Sequence, residues 1–227
     1  MSFKEKIFYL LNRRFKRKSH DYASKIFVVY EKIKENINEI NKKKVFVKYN
    51  KIKISKKNTK NIFKIKKVIN LVFVGRLIKG KSLVNILKAI KSLENVSLTI
   101  FGDGPYRNKL EKLIYSYNLE KRIHMKGFVN NENMISTLKN YDAFIAHHKY
   151  YEFPKTIIES LLIGLPVILN KNPSSTLKEF KNLEILWTND NVESYIKVLN
   201  KFQSKDYNLK QISRRNMTKV QKLINTE

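Results

Sequence analysis

VINLVFVG at 68–75 is an almost continuous apolar run stopped by a glycine, VSLTIFG at 96–102 repeats the strand-to-glycine ending, and each leads into an amphipathic stretch. A run without polar alternation suits a strand covered on both faces, as in a parallel sheet flanked by helices. After the first run, SLVNILKAIKSL (82–93) puts Leu83, Ile86, Leu87 and Ile90 at helical spacing. After the second, PYRNKLEKLIYSYNL (105–119) reads as a helix with Pro105 at its first position. The alternation continues through RIHMKGF (122–128), a helix near 131–140, YDAFIAH (141–147), a helix from 154, PVILN (166–170), a helix near 175–182 and LEILW (183–187). Helices near 191–203 and 208–225 follow. Strands separated by helices of this length form βαβ units, and right-handed crossovers wind them into a Rossmann-like α/β domain with a doubly wound parallel sheet.

The first 50 residues read differently, as helix, strand (KIFVVY, 25–30), helix (31–41) and strand (KVFVKY, 44–49). Two strands and two helices cannot cover both faces of a parallel sheet, so residues 1–50 are an incomplete α/β segment. Residues 51–66 carry a lysine run read as an exposed linker, 67–205 form the Rossmann-like domain, and 206–227 are a C-terminal helix. IFYLL near the N-terminus, followed by a basic cluster, has neither the order nor the length of a signal peptide, and no apolar run is long enough to span a membrane. Absent cysteine excludes disulfides and thiolate metal sites. The formal charge of +28 asks for anionic partners, or is simply a solvated lysine coat. No nucleic-acid motif accompanies it, so nucleic acid is not the expected partner.

In an open parallel sheet, ligands bind beyond the carboxyl ends of the strands. At the first such end, GRLIKGK (75–81), Arg76 and Lys81 straddle a turn into a helix, an arrangement suited to an oxyanion or diphosphate. At the second, FGDGP (101–105), Gly102 and Gly104 permit a turn with positive φ. At the third, YYEFPKTIIESLLIGLPVI (150–168), Pro154 opens a helix whose buried stripe is Ile157, Ile158, Leu161 and Leu162. That helix carries Glu159, while Glu152 precedes it in a loop. A carboxylate there either stabilises the helix dipole or accepts hydrogen bonds from vicinal hydroxyls such as those of a ribose.

In order along the chain, V-G-R-L…K (74–81), F-G-D-G-P (101–105), K-G-F-V (126–129), Y-D-A-F-I (141–145), E-F-P-K-T-I-I-E-S (152–160) and G-L-P-V-I (164–168) resemble the C-terminal, donor-binding domain of the family 4 glycosyltransferases, retaining enzymes of the GT-B fold. Residues 22–50 are similar to the last strands and helices of that family's N-terminal, acceptor-side domain, most of which is missing from these 227 residues. The resemblance implies a nucleotide diphosphate sugar, UDP- or GDP-linked, as donor substrate, with no cofactor and no metal. Arg76 and Lys81 would hold the diphosphate, helped by amides around Pro154, Lys155 and Thr156. Glu159 would bind the ribose, Phe128 and Val129 would face the base, and Glu152 would be the catalytic group beside the donor sugar.

The family's paired glutamates enclose seven residues, whereas Glu152 and Glu159 enclose six. Either a loop residue is deleted, or Tyr151 replaces the first glutamate. His147 and His148 stand where the family commonly has Pro-Ser, and a place at the site's rim is expected for them. NPSSTLKEF (172–180) lacks the family's glycine pair. Expected partners are the nucleotide sugar, a separate subunit supplying the acceptor domain, and an anionic membrane face, with the protein cytoplasmic or peripheral on the inner membrane. The expected function is the donor-binding half of a glycosyltransferase acting on a surface polysaccharide or lipid-linked acceptor. The alternatives are an inactive truncated remnant or a basic nucleic-acid-binding protein.

Overall fold

The computed structural model describes residues 18–49, 52, 67–129, 131–149, 154–172, 177–204 and 206–225. The linker 51–66, apart from residue 52, therefore lies outside the described residues, as do Glu152 and the N-terminal apolar run. The chain divides into two compact units at Asn50/Lys51.

In the first unit β1 (Ile26–Val28) pairs in parallel with β2 (Val45–Val47). Val28, Val45 and Ile37 form a small core on one face of the pair. On the other face Phe27 and Phe46 are register partners, 60% and 46% exposed, with Lys48 over one ring and Lys25 over the other. Among the described residues one face is covered and one is not. The helix expected over 31–41 is split into a 3₁₀ turn (Glu31–Asn36) and α1 (Glu39–Lys42). Asparagines at 36, 38 and 41 favour turns over helix interior, and Ile37 takes an extended conformation that lets it enter the core.

The second unit is a six-stranded, all-parallel sheet in the order β5-β4-β3-β6-β7-β8. Its strands are β3 (Ile69–Val74), β4 (Val96–Phe101), β5 (Ile123–Gly127), β6 (Ala143–Ala146), β7 (Val167–Asn170) and β8 (Leu186–Thr188). Its helices are α2 (Val84–Lys91), α3 (Arg107–Ser116), α4 (Asn131–Leu138), α5 (Lys155–Leu162), α6 (Lys178–Lys181), α7 (Val192–Gln203) and α8 (Leu209–Asn225). Leu71, Val72 and Phe73 at the centre of β3 are all buried, so both faces of the sheet are covered and the unbroken apolar run is explained. Leu83, Ile86, Leu87 and Ile90 are buried at the α2 face, each contributing about 1.5–3 kcal/mol by leaving water. Helix α2 packs on α7, and α5 packs on α8.

Helix starts differ from expectation by one or two residues. Pro105 sits in the turn before α3, and Pro154, with φ −68° and ψ 135°, caps α5 from outside instead of opening it. Strand β8 starts later than expected because the backbone of Glu184 is taken by a side chain: its N–H donates to Asn216 Oδ1 at 2.8 Å, and Asn216 Nδ2 donates to its carbonyl at 3.0 Å. Among the described residues no helix is long and apolar enough to cross a membrane.

Candidate functional site

β3 is followed by β4 and β5 on one side, and the chain then crosses to β6 on the other. The direction of winding reverses between β3 and β6, and the crevice beyond their carboxyl ends is where such a sheet binds ligands. Every described candidate from the sequence lies on a segment leaving the carboxyl end of β3, β4, β5 or β6, or on the helix that follows.

On the β4 side the loop after β3 is zipped to the loop after β4. Gly75 N–H donates to the Phe101 carbonyl (3.0 Å), Leu77 N–H to that of Asp103 (2.9 Å), and Tyr106 N–H to that of Leu77 (2.9 Å). The approach is so close that a Cβ on Gly102 would lie 1.9 Å from the Gly75 carbonyl oxygen, and one on Gly104 2.5 Å from that of Leu77. Both glycines have positive φ, 139° and 153°. This zipper holds exposed Arg76 at the edge of a cleft of about 360 Å³. Phe101, Phe128, Val129 and Met134 supply its apolar wall. Phe128 is 83% exposed, an aromatic face offered to solvent beside a cation, which suits stacking of a flat ring. A larger hollow of about 440 Å³ lies between Lys171, Trp187 and α7, at the β8 edge and away from the switch point.

On the β6 side Lys149 N–H donates to the Gly80 carbonyl at 3.0 Å, joining the turn that carries Lys81 to the segment leaving β6. His147 and His148 are not at a rim: they are 1% and 4% exposed. They follow directly on the last residue of β6, Ala146. His147 Nδ1 lies 3.4 Å from the Tyr195 hydroxyl and 3.5 Å from Asp190 Oδ1, and Asp190 in turn accepts from Asn85 Nδ2 at 3.0 Å. Burial lowers the His147 pKa, against the attraction of Asp190. His148 is pushed down to about 3, first by burial and then by the charge of Lys81. A folded-state pKa below the ordinary 6.5 means that stability is present above 6.5 and is lost as pH falls towards 3. The His148 ring resonances are accordingly expected not to titrate between about pH 5 and 8 in an NMR titration; a midpoint near 6.5 would place the ring in solvent.

Helix α5 begins beyond β6, its first amides at Lys155 and Thr156 facing outward along the axis as the N-terminus of any helix does. Glu159 follows one turn later at 1% exposure. Its Oε1 is 3.4 Å from Lys155 Nζ, while Oε2 has no hydrogen-bond partner among the described residues. Burial raises its pKa above the ordinary 4.5, and Lys155 only partly opposes that. A buried carboxylate oxygen without a donor is rare enough to need an explanation, and a ligand hydroxyl supplies one. No cluster of metal-ligating side chains occurs among the described residues.

The structure therefore gathers Arg76, Gly102, Phe128 and Val129 around one cleft, pairs Lys155 with Glu159, and sets Lys81 beside His148. Glu152 lies outside the described residues. The Asn85–Asp190–His147–Tyr195 network was not legible in the sequence, because its members come from three distant stretches of the chain with no common spacing.

The family model described as "Glycosyl transferases group 1" matches residues 53–220. Among curated proteins, an uncharacterized glycosyltransferase of Methanocaldococcus jannaschii is 33% identical over 116 residues, 49% of this chain and 28% of that protein. The lipopolysaccharide core biosynthesis glycosyltransferase LpsD of Rhizobium meliloti is 30% identical over 101 residues, 44% of this chain and 29% of that protein. The chain thus spans less than a third of the length of these relatives. Among solved structures, the apo lipopolysaccharide outer core galactosyltransferase WaaB superposes with a TM-score of 0.68 at 20% identity, covering 91% of this chain and 59% of that one. Anabaena HepE in complex with UDP and glucose superposes with a TM-score of 0.72 at 16% identity, covering 94% and 62%. The fold is that of GT-B glycosyltransferase chains.

Proposed function

The chain belongs to the glycosyl transferases group 1 family, and on that premise we propose that its second unit binds the nucleoside diphosphate of a sugar donor and presents the sugar for transfer to a surface polysaccharide or lipid-linked acceptor. The observation that carries this reading is Glu159. A buried carboxylate with one oxygen lacking a donor among the described residues, on a helix whose N-terminus opens at the switch point, is suited to accept hydrogen bonds from vicinal ribose hydroxyls.

The other roles follow from position. The base stacks in the apolar cleft against Phe128 with Val129 behind it. Arg76 at the cleft edge and Lys81 on the β6 side meet the diphosphate, together with the amides at Lys155 and Thr156 that follow Pro154. Gly102 and Gly104 let two loops approach closely enough to hold Arg76 there. Glu152, two residues before Pro154, would stand beside the donor sugar as it leaves, with retention at the anomeric carbon as family 4 resemblance implies. The complex of HepE makes UDP the first donor to test. The acceptor would be held by further α/β structure that β1 and β2 join, in the same protein or in a separate subunit. The +28 charge suits a position against an anionic membrane face.

Arg76→Ala is expected to weaken UDP about 10- to 100-fold, the worth of a charge-assisted phosphate contact of roughly 1.5–3 kcal/mol. Calorimetric titration of UDP and GDP into wild type and variant checks this. Wild-type protein that is folded and binds neither nucleotide, or an Arg76→Ala variant that binds as well as wild type, would overturn the reading.

A further inference from the structure

At Asn170 the sheet does something that no other position along β6 and β7 shows. Backbone pairing between these strands runs Phe144↔Val167, Ile145↔Ile168 and Ala146↔Leu169. Asn170 then turns its backbone to β8, with Thr188 as its register partner. Its side-chain amide takes over on the β6 side. Asn170 Oδ1 accepts the His148 N–H at 2.8 Å, and Asn170 Nδ2 donates to the His148 carbonyl at 3.0 Å. A primary amide on a one-carbon stem presents the donor and acceptor of a peptide group, so the side chain acts as one more rung of the ladder. Nδ2 also reaches the Lys171 carbonyl at 3.3 Å, and the residue is 2% exposed. The next residue along, Lys149, donates its N–H to Gly80, beside Lys81.

We propose that Asn170 is a positioning residue for the donor site: by gripping the backbone of His148 it fixes the Lys149–Gly80 bond and so the place of Lys81 at the diphosphate. This rests on the donor-binding reading given above. Arg76 is held by different bonds, those from Gly75 and Leu77 to the β4 loop, and is independent of Asn170. Two cations that must meet one diphosphate are thus aligned by separate devices, a glycine zipper on one side and an amide rung on the other. The second clamp of this form, Asn216 on the backbone of Glu184, lies at the start of β8, the opposite end of the sheet, and reaches no candidate residue. It is the natural control.

A misplacement of about 1 Å can cost on the order of a hundredfold in rate, and a partial displacement of one of two cations is expected to cost binding less. Asn170→Ala should weaken UDP about tenfold, Lys81→Ala by a similar factor, and the double variant by little more than either. Arg76→Ala should cost the same factor in both backgrounds, and Asn216→Ala should lower stability without changing affinity. Amide hydrogen exchange supplies the readout that does not need a ligand. In Asn170→Ala the Lys149 amide should exchange at least about tenfold faster, while the Leu77 amide keeps its protection. Asn170→Asp, which keeps the acceptor for His148 and lacks the donor, serves if the alanine variant does not fold, with the same order of amide effects.

Coupled binding losses with selective loss of Lys149 protection would establish the positioning role. Additive losses from Asn170→Ala and Lys81→Ala, or unchanged exchange at Lys149, would overturn it while leaving nucleotide binding intact. Wild-type protein that binds no UDP or GDP, with Lys149 exchange still dependent on Asn170, would instead overturn the donor-binding reading, and the positioning role with it.

Discussion

Glu159→Met is expected to make the protein more stable and unable to hold a nucleotide. The wild-type carboxylate is 1% exposed and, among the described residues, has one oxygen without a partner and is met by Lys155, whose own side chain is 42% exposed. Replacing a poorly compensated buried charge by an apolar side chain of similar size typically stabilises by about 1–4 kcal/mol. In a unit of this size that is a rise of roughly 2–4 °C in Tm per kcal/mol. The same change removes the acceptor for the ribose hydroxyls, so UDP affinity should fall by about 100-fold, a loss of roughly 2.7 kcal/mol. Differential scanning calorimetry with and without UDP checks both halves. A variant less stable than wild type would mean that the carboxylate is a satisfied structural group.

The pH dependence carries the same signature. A folded-state pKa above 4.5 means that the native protein holds a proton the unfolded chain has released, so wild-type stability falls as pH rises from 4.5 towards the folded value. Glu159→Gln should lack that fall. Nucleotide affinity should move the opposite way, rising over the same interval as the carboxylate ionises and becomes the better acceptor.

Gly102→Ala is the second large effect, and its sign is the reverse. A methyl carbon 1.9 Å from the Gly75 carbonyl oxygen cannot be accommodated unless the loops after β3 and β4 separate. Separation breaks the bonds from Gly75, Leu77 and Tyr106 that hold them together. Overpacking of this kind costs about 1–3 kcal/mol, and the φ of 139° adds strain of about 1–3 kcal/mol. Urea denaturation should show a loss of several kcal/mol with an unchanged m-value. Where Arg76 sits depends on the same zipper, so whatever folded protein remains should bind UDP no better than Arg76→Ala. A variant with wild-type stability would show that the two loops do not approach as closely as described.

Both effects rest on features that the sequence announces unequally. The strands of the second unit are legible because β3 reads as a nearly continuous apolar run, which suits a doubly covered sheet, and because strand-like runs alternate with helical stretches. The positive φ at Gly102 and Gly104 followed from glycines flanking a strand end. Glu159 is legible as a residue facing either the dipole or a ligand, and only three-dimensional burial shows that its second oxygen lacks a donor among the described residues. The burial of His147 and His148 was not legible, since two adjacent histidines at a strand end point both ways if extended and nothing local says that both sides are covered there. Asn170 gave no signal at all: an asparagine ending a strand is ordinary, and its value lies in what the backbone of another strand needs. Ile37 illustrates the opposite failure, a residue whose helical neighbourhood was overridden by a small core that needed it extended.

The packing of α8 against α5 has a consequence for synthesis. Helix α5 carries Glu159 and opens the crevice, but it is among the middle elements of the sequence, whereas α8, Leu209–Asn225, is the last one described. A ribosome therefore releases every strand of the sheet before the helix that covers α5. Until that moment α5 has no neighbour where α8 will lie, and its apolar residues must wait for a partner made later. The region proposed to recognise the nucleotide is thus completed only after every strand of the sheet has been made, and a premature stop within α8 would leave the strands made and the donor site unsupported.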